Sequence, residues 1–112
     1  MLDSADLDLP TFDDVVAAHA RIKPHIHDTP ILTSETFDRM TGATLFFKCE
    51  NFQKAGAFKA RGASNAVFSL SDEQAAKGVA THSSGNHGLS LSYAAGRRGV
   101  PCTVVMPRTA PE

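Results

Sequence analysis

Apolar residues recur along this chain at two spacings. From Phe12 they fall at Val15, Val16, His19 and Ile22, the three-and-four interval of one helix face. Thr11 stands before that run as a cap, with Asp14 three residues on to complete a capping-box-like pair. Asp13 suits the positive end of the helix dipole, and Pro24 ends the helix. "HDTPILTS" then reads as an extended connector, after which Ser34 caps a short helix that Gly42 terminates. From there the pattern alternates. "TLFFKCE" (Thr44–Glu50) is short, aromatic and β-branched and predicts a strand. Lys59–Leu70, with Ala63, Ala66, Val67 and Leu70 on one face, predicts a helix, and Gly78–His82 a second strand. Asn86–Arg98 predicts a helix carrying Leu89, Leu91, Tyr93 and Ala94, with Arg97 and Arg98 at its negative end and Gly99 as its stop. Cys102–Met106 is continuously apolar, as buried parallel strands are.

This order is β-α-β-α-β, so the expected fold class is α/β: an open, mostly parallel sheet with right-handed crossover helices. Residues 1–10 are acidic, close on Pro10 and read as a flexible lead-in; residues 11–112 read as one α/β unit. At the other end, "RTAPE" places Thr109 as a cap, Pro111 at an early helical position and Glu112 in the first turn. Three strands with two crossover helices also leave much of the second sheet face uncovered. The expectation is an N-terminal segment of a larger catalytic fold, truncated at its C-terminus, with a complete small domain as the alternative.

Composition narrows the function classes. Eleven Lys+Arg against twelve Asp+Glu, a net charge of −1, give no support for nucleic acid or an anionic membrane as partner. No apolar run approaches the length of a spanning helix, and the N-terminus lacks the basic and apolar regions of a signal peptide. Cys49 and Cys102 sit in apolar runs without CxxC spacing and read as free thiols of a reducing compartment, so a cytoplasmic location is expected.

Two stretches carry candidate chemistry. "SSGNHG" (Ser83–Gly88) joins a strand to a helix, where Gly85 admits close backbone approach and the free amides of a helix start attract an anion. Ser83, Ser84, Asn86 and His87 add side-chain donors; an ordinary helix cap with polar neighbours is the competing reading. "AGAFKARGAS" (Ala55–Ser64) sets Lys59 among small and apolar residues at the first turn of its predicted helix. The helix dipole and burial against Phe58 and the alanines would both disfavour the charged ammonium and favour the neutral amine that Schiff-base chemistry needs. The alternative is a lysine whose stem packs on Phe58 while its head reaches water. His25 and His27 flank Ile26 without an acidic or Cys partner and read as surface residues, and no metal is assigned. Lys23, Arg61, Arg97 and Arg98 read as solvated or capping charges.

Taken together, "KCENFQKAGAFKARGASNAV" and "THSSGNHGLSLSYAAGRRGVPCTVVMPRTAP" resemble the N-terminal third of the serine racemase and threonine/serine dehydratase family, pyridoxal-phosphate enzymes of the tryptophan-synthase-β fold. The resemblance implies roles residue by residue. Lys59 matches the lysine that forms the Schiff base with pyridoxal 5′-phosphate, Phe58 the aromatic beside it, and Asn86 the asparagine that hydrogen-bonds the cofactor's ring hydroxyl. Ser83, Gly85, Asn86 and His87 match the cradle for the carboxylate of an amino acid substrate. Ser84 matches the serine that acts in racemases as acid or base on the face opposite the lysine. Where the family often has Thr-Gly-Ser before Phe-Lys, this chain has Ala55-Gly56-Ala57, which bears on substrate preference more than on the Schiff base.

The family's glycine-rich phosphate loop lies beyond Glu112, so residues 1–112 alone are expected to hold cofactor weakly and turn over little. The resemblance implies dehydration of serine or threonine with racemisation as a second activity, in a homodimer. A mononucleotide half-domain for NADP, with Gly85 and Gly88 after a strand and Arg108 near a 2′-phosphate, is the rival, although the turn is not GxGxxG. A non-catalytic fragment that pairs with another chain through its uncovered sheet is a third possibility.

Overall fold

The computed structural model of the protein describes residues 9–110. The order of elements is α1 (Phe12–Ile22), β1 (Ile31–Leu32), α2 (Glu35–Thr41), β2 (Phe47–Lys48), α3 (Lys59–Ser69), α4 (Asp72–Ala76), β3 (Val79–His82), α5 (Asn86–Arg98) and β4 (Cys102–Val105). Single 3-10 turns at Lys23–His25, Glu50–Phe52 and Lys54–Gly56 join them.

The N-terminal helix starts as its sequence dictates. Thr11 Oγ1 accepts from the Asp14 amide at 3.3 Å, and Asp14 Oδ2 accepts from the Thr11 amide at 2.7 Å. The Thr11 hydroxyl also donates to Asp14 Oδ2 at 2.7 Å, and the amide and hydroxyl bonds from Thr11 together hold the Asp14 carboxyl below its ordinary range. The helix runs to Ile22, and Pro24 falls in the 3-10 turn beyond it. Its apolar face is not buried as the spacing predicts. Phe12, Val15 and Val16 are exposed, Ile22 alone is buried, and Arg21 bonds Asn65 of α3. Periodicity locates an apolar face but says nothing of what covers it. Ser34 caps α2 and Gly42 ends it in a left-handed conformation, both as expected.

The sheet departs from expectation at its first strand. Within Thr44–Glu50 only Phe47–Lys48 is a strand, and it pairs antiparallel with Ile31–Leu32, inside the segment read as a connector. The chain turns into a 3-10 turn at Glu50, whose carboxylate is taken by Arg61. The parallel pair among the described residues is β3 with β4, in register Val79↔Cys102 to His82↔Val105. Both strands are half-buried at alternate positions, so Cys102–Met106 is one-faced despite its unbroken apolar run.

The core lies where α3 crosses α5. Ala63, Val67, Leu91 and Ala94 form it, with Val79, Val100 and Cys102 against it. Small residues (Ala60, Ser64, Ser90 and Ala95, all fully buried) line the same contact and let the two helix axes approach closely. Ala66 is exposed and Leu89 is 57% exposed, so the predicted faces of α3 and α5 are narrower than their apolar spacing. Arg98 bonds the Val67 carbonyl near the end of α3 and, at 3.2 Å, the Asp72 carboxylate at the start of α4. It is a partnered link rather than a free charge. Tyr93 of α5 donates to the His25 carbonyl at 2.7 Å, and the half-buried His25 ring stacks on Phe68. His25 is therefore a packing residue. Residues 1–8 of the expected lead-in, and the helix start expected at Pro111 and Glu112, lie outside the described residues. Leu9 and Pro10 are exposed, and Pro107–Ala110 form a hydrogen-bonded turn.

Candidate active site

The turn after β3 is built by its backbone. The Ser83 amide pairs with the Val105 carbonyl at 3.0 Å, prolonging the parallel ladder by one residue. The Ser83 hydroxyl then accepts from the Gly85 amide at 3.3 Å, which bends the chain into α5. Gly88 completes the bend. A Cβ there would lie 2.8 Å from the Ser83 carbonyl oxygen and 3.0 Å from Val104 Cγ1, so only glycine lets the first turn of α5 lie on the strand ends. No side chain caps α5, whose N-cap is the extended Gly85. Its first amides are thus aimed, uncapped, at a mouth where Ser84, Gly85, Asn86 and His87 are all exposed and Ser83 is half-buried. An uncapped start on a helix of thirteen residues offers an anion both hydrogen bonds and the dipole.

Lys59 opens α3, as the sequence predicts, on a helix that likewise has no side-chain cap. Of the two readings of Lys59, the geometry matches the lysine that lies along Phe58 with its head in water, not the buried one. Lys59 and Phe58 are both exposed, and the ammonium sits 5.4 Å from the centre of the Phe58 ring. Sequence left both readings open, because "apolar neighbours" does not specify which side of a turn those neighbours occupy. Ala57 is buried beneath the turn, whereas Phe58 stands outward.

The helix that the second stretch begins, α5, joins the two parts of the site. β2 and β3 belong to different sheets, but α5 packs against both α3 and the Lys54–Gly56 turn just before Lys59.

Sequence reading missed what holds the lysine loop. Arg61 grips Glu50 with two donors, Nε to Oε2 at 2.8 Å and Nη2 to Oε1 at 2.6 Å, where a solvated charge was expected. That bond, with help from the Thr29 hydroxyl and despite partial burial, holds the Glu50 carboxyl at about 2, against an ordinary 4.5. Arg61 is raised in turn, chiefly by the same bond to Glu50. Gln53, 4% exposed, accepts from the His27 amide at 2.7 Å and donates to the His27 carbonyl at 2.9 Å, standing in for a strand neighbour. His27 Nδ1 lies 3.0 Å from the Phe52 carbonyl, so this histidine too is part of the scaffold. These partners are eleven to twenty-six residues apart, beyond any local spacing rule.

The residues present fit a flat, anionic aldehyde cofactor. An exposed primary amine stands beside an exposed aromatic face, small residues precede it, and an uncapped helix start lies on the element packed against it. Comparison with known proteins agrees. Residues 22–112 match the family described as pyridoxal-phosphate dependent enzymes. A β-hydroxyaspartate dehydratase of Paracoccus denitrificans is 70% identical over 104 residues, covering 93% of this chain and 33% of that protein. The crystal structure of serine racemase from Dictyostelium discoideum superposes with a TM-score of 0.89 at 56% identity, over 91% of this chain and 34% of that one. The crystal structure of a T.th. threonine deaminase superposes at 0.79 with 44% identity, over 88% and 34%. The chain spans about a third of the length of the curated relatives it matches. The α/β fold is that of these solved relatives, and the NADP-binding alternative finds no support in any of them. On its matched residues and its superposition, the chain belongs to the pyridoxal-phosphate dependent enzyme family.

Proposed function

We propose that the protein containing these residues dehydrates a 3-hydroxy amino acid to a keto acid and ammonia, with racemisation of the same substrate as a second activity. One observation carries the reading: an exposed lysine at the open start of α3, with a second open start on α5, the helix packed against α3. Lys59 would hold pyridoxal phosphate covalently, Phe58 would lie against its ring, and Asn86 would bond its ring hydroxyl. When bound, that cofactor supplies an electron sink for charge at the substrate α-carbon.

This chain's own residues do the remaining work. The uncapped amides of α5, with the Ser83, Asn86 and His87 side chains and the exposed backbone of Gly85, bind the substrate carboxylate and fix the α-carbon. The Lys59 amine takes the α-proton as general base. With the β-hydroxyl leaving as water, the outcome is dehydration. With a proton returned from the Ser84 hydroxyl on the other face, the outcome is inversion.

Dehydration is placed first because the relative at 70% identity is a dehydratase, while the serine racemases lie between 50% and 62%. The substrate, which the sequence leaves open between serine, threonine and 3-hydroxyaspartate, is to be assayed on all three, and the name of that relative moves 3-hydroxyaspartate forward. Ala55 and Ala57, which lack hydroxyls near the lysine, are consistent with a substrate other than serine. A cytoplasmic homodimer, with no nucleic-acid or membrane partner, completes the proposal. No helix among the described residues is long and apolar enough to cross a membrane.

The test is direct. Pyridoxal phosphate is added to the full-length protein, borohydride reduces any Schiff base, and the modified lysine is mapped by mass spectrometry. Label on Lys59, together with ammonia release from one of the three substrates, is the expected result. Label elsewhere would refute the assignment. Lys59→Ala should lower turnover by on the order of 1,000-fold or more.

A further inference from the structure

The segment leading to Lys59 is a loop tied at its neck. Glu50 begins it and Arg61, two residues past Lys59, closes it with the two-point grip described above. Two more groups buttress that grip. Thr29 Oγ1 donates to Glu50 Oε1 at 2.6 Å, with Arg61 Nη2 3.4 Å from the same hydroxyl. Lys48 Nζ donates to the Thr29 carbonyl at 2.7 Å. The paired side chains are only 30% and 20% exposed, so water competes weakly for them. Inside the neck, Gln53 fastens the loop to His27, and the chain reverses through Ala55 and Gly56, both in the left-handed region.

Arg61 does not approach Lys59 to do this. Each residue turns an α-helix by about 100°, so two residues apart face nearly opposite directions. The first turn of α3 also lacks a side-chain cap that would fix it locally. A planar fork with two donors on one carboxylate constrains orientation as well as distance, which a lysine in its place does not.

We infer that Arg61, held by Glu50, is a positioning residue: it sets the rotation of the first turn of α3 and so the place where the Lys59 amine stands. The inference rests on the reading of Lys59 as the cofactor-binding lysine. A misplacement of about 1 Å at a reacting group is enough to cost roughly 100-fold in rate.

The experiment uses the full-length protein. Apoenzyme is mixed with pyridoxal phosphate, and the rate at which Lys59 becomes trappable by borohydride is followed across pH, beside kcat, KM and Tm. Arg61→Gln and Arg61→Lys are compared with Arg98→Gln, which removes the partnered arginine at the far end of the same helix pair. Arg61→Gln should slow trapping about tenfold or more and lower kcat by a similar factor, with substrate KM changed less than about threefold. Arg61→Lys should recover less than about half of that loss on a logarithmic scale. Arg98→Gln should lower Tm by a comparable amount and leave trapping within about twofold of the unaltered protein. The inference fails if Arg61→Gln lowers Tm alone, or if Arg98→Gln slows trapping equally. If Arg61→Gln does not fold, Thr29→Val, which removes one donor to Glu50, should still slow trapping about threefold; no change would overturn the inference. Absence of label on Lys59 in the unaltered protein would refute the reading beneath it, a distinguishable result.

Discussion

Helices α1, α2 and α4 are closed at their starts by their own side chains, while α3 and α5 are open. Thr11 and Asp14 cap α1 reciprocally, Ser34 caps α2, and Ser71 with Gln74 caps α4. Phe58 and Gly85, at the starts of α3 and α5, offer no capping side chain. A cap stabilises by about 1 kcal/mol, so leaving two starts bare has a real cost in folding stability. The bare starts are the two that carry the candidate site. A capped amide is already bonded; an uncapped one remains available to a ligand. The molecule keeps local closure for helices that only pack, and holds the open ones by longer-range ties such as Arg61 to Glu50.

The sharpest way to break this contrast is to close α5. Gly85 has an extended backbone that any residue adopts, and a Cβ there meets nothing within 4 Å. Gly85→Asp should therefore fold, cap the helix and place a carboxylate where the substrate's belongs. Affinity for the amino acid substrate should fall by on the order of 100-fold without loss of Tm. Equal substrate KM for both forms would end the anion-site reading.

The long-range ties should show in acid. Because the Glu50 carboxyl is held at about 2 rather than 4.5, its contribution is fully present above about pH 5 and lost as pH falls toward 2. Allowing for solvent screening, about 2 kcal/mol of stability should go with it. Glu50→Gln should remove that part of the pH dependence in urea unfolding curves. A variant with unchanged acid sensitivity would show the tie to be energetically idle.

The closed starts should behave oppositely. Thr11→Ala should cost about 1 kcal/mol of stability and leave turnover unchanged. The smallest effect concerns Ala55, the one residue other than glycine with positive φ among those described, at 58°. Ala55→Gly relieves that conformation while adding freedom to the unfolded chain, so a gain of only about 0.5 kcal/mol is expected in thermal unfolding. A loss would place the strain elsewhere.

The same contrast marks what was legible in the sequence. Thr11 with Asp14, Ser34 with Gly42, and Asn86 to Gly99 act within one element, and each stands where spacing put it. The Ser71 and Gln74 box that starts α4 was equally readable, although the expectations omit it. The strand predicted at Thr44–Glu50 is shortened to Phe47–Lys48 and paired antiparallel, because residue propensity competes with tertiary pairing. Glu50 is drawn into a turn by a partner eleven residues away. Lys59 and the Ser83–Gly88 turn were legible as unusual chemistry, but the choice between a buried and an exposed lysine, and the clamp behind it, were not. Both depend on which surfaces meet across the fold.

Gly88 has a consequence for how such a protein diversifies. The curvature of the mouth is set by a main-chain contact too short for any side chain, so the shape of the turn is independent of what Ser84 or His87 happens to be. A rigid holder with exchangeable tips lets new chemistry be tried one exposed residue at a time without rebuilding the frame.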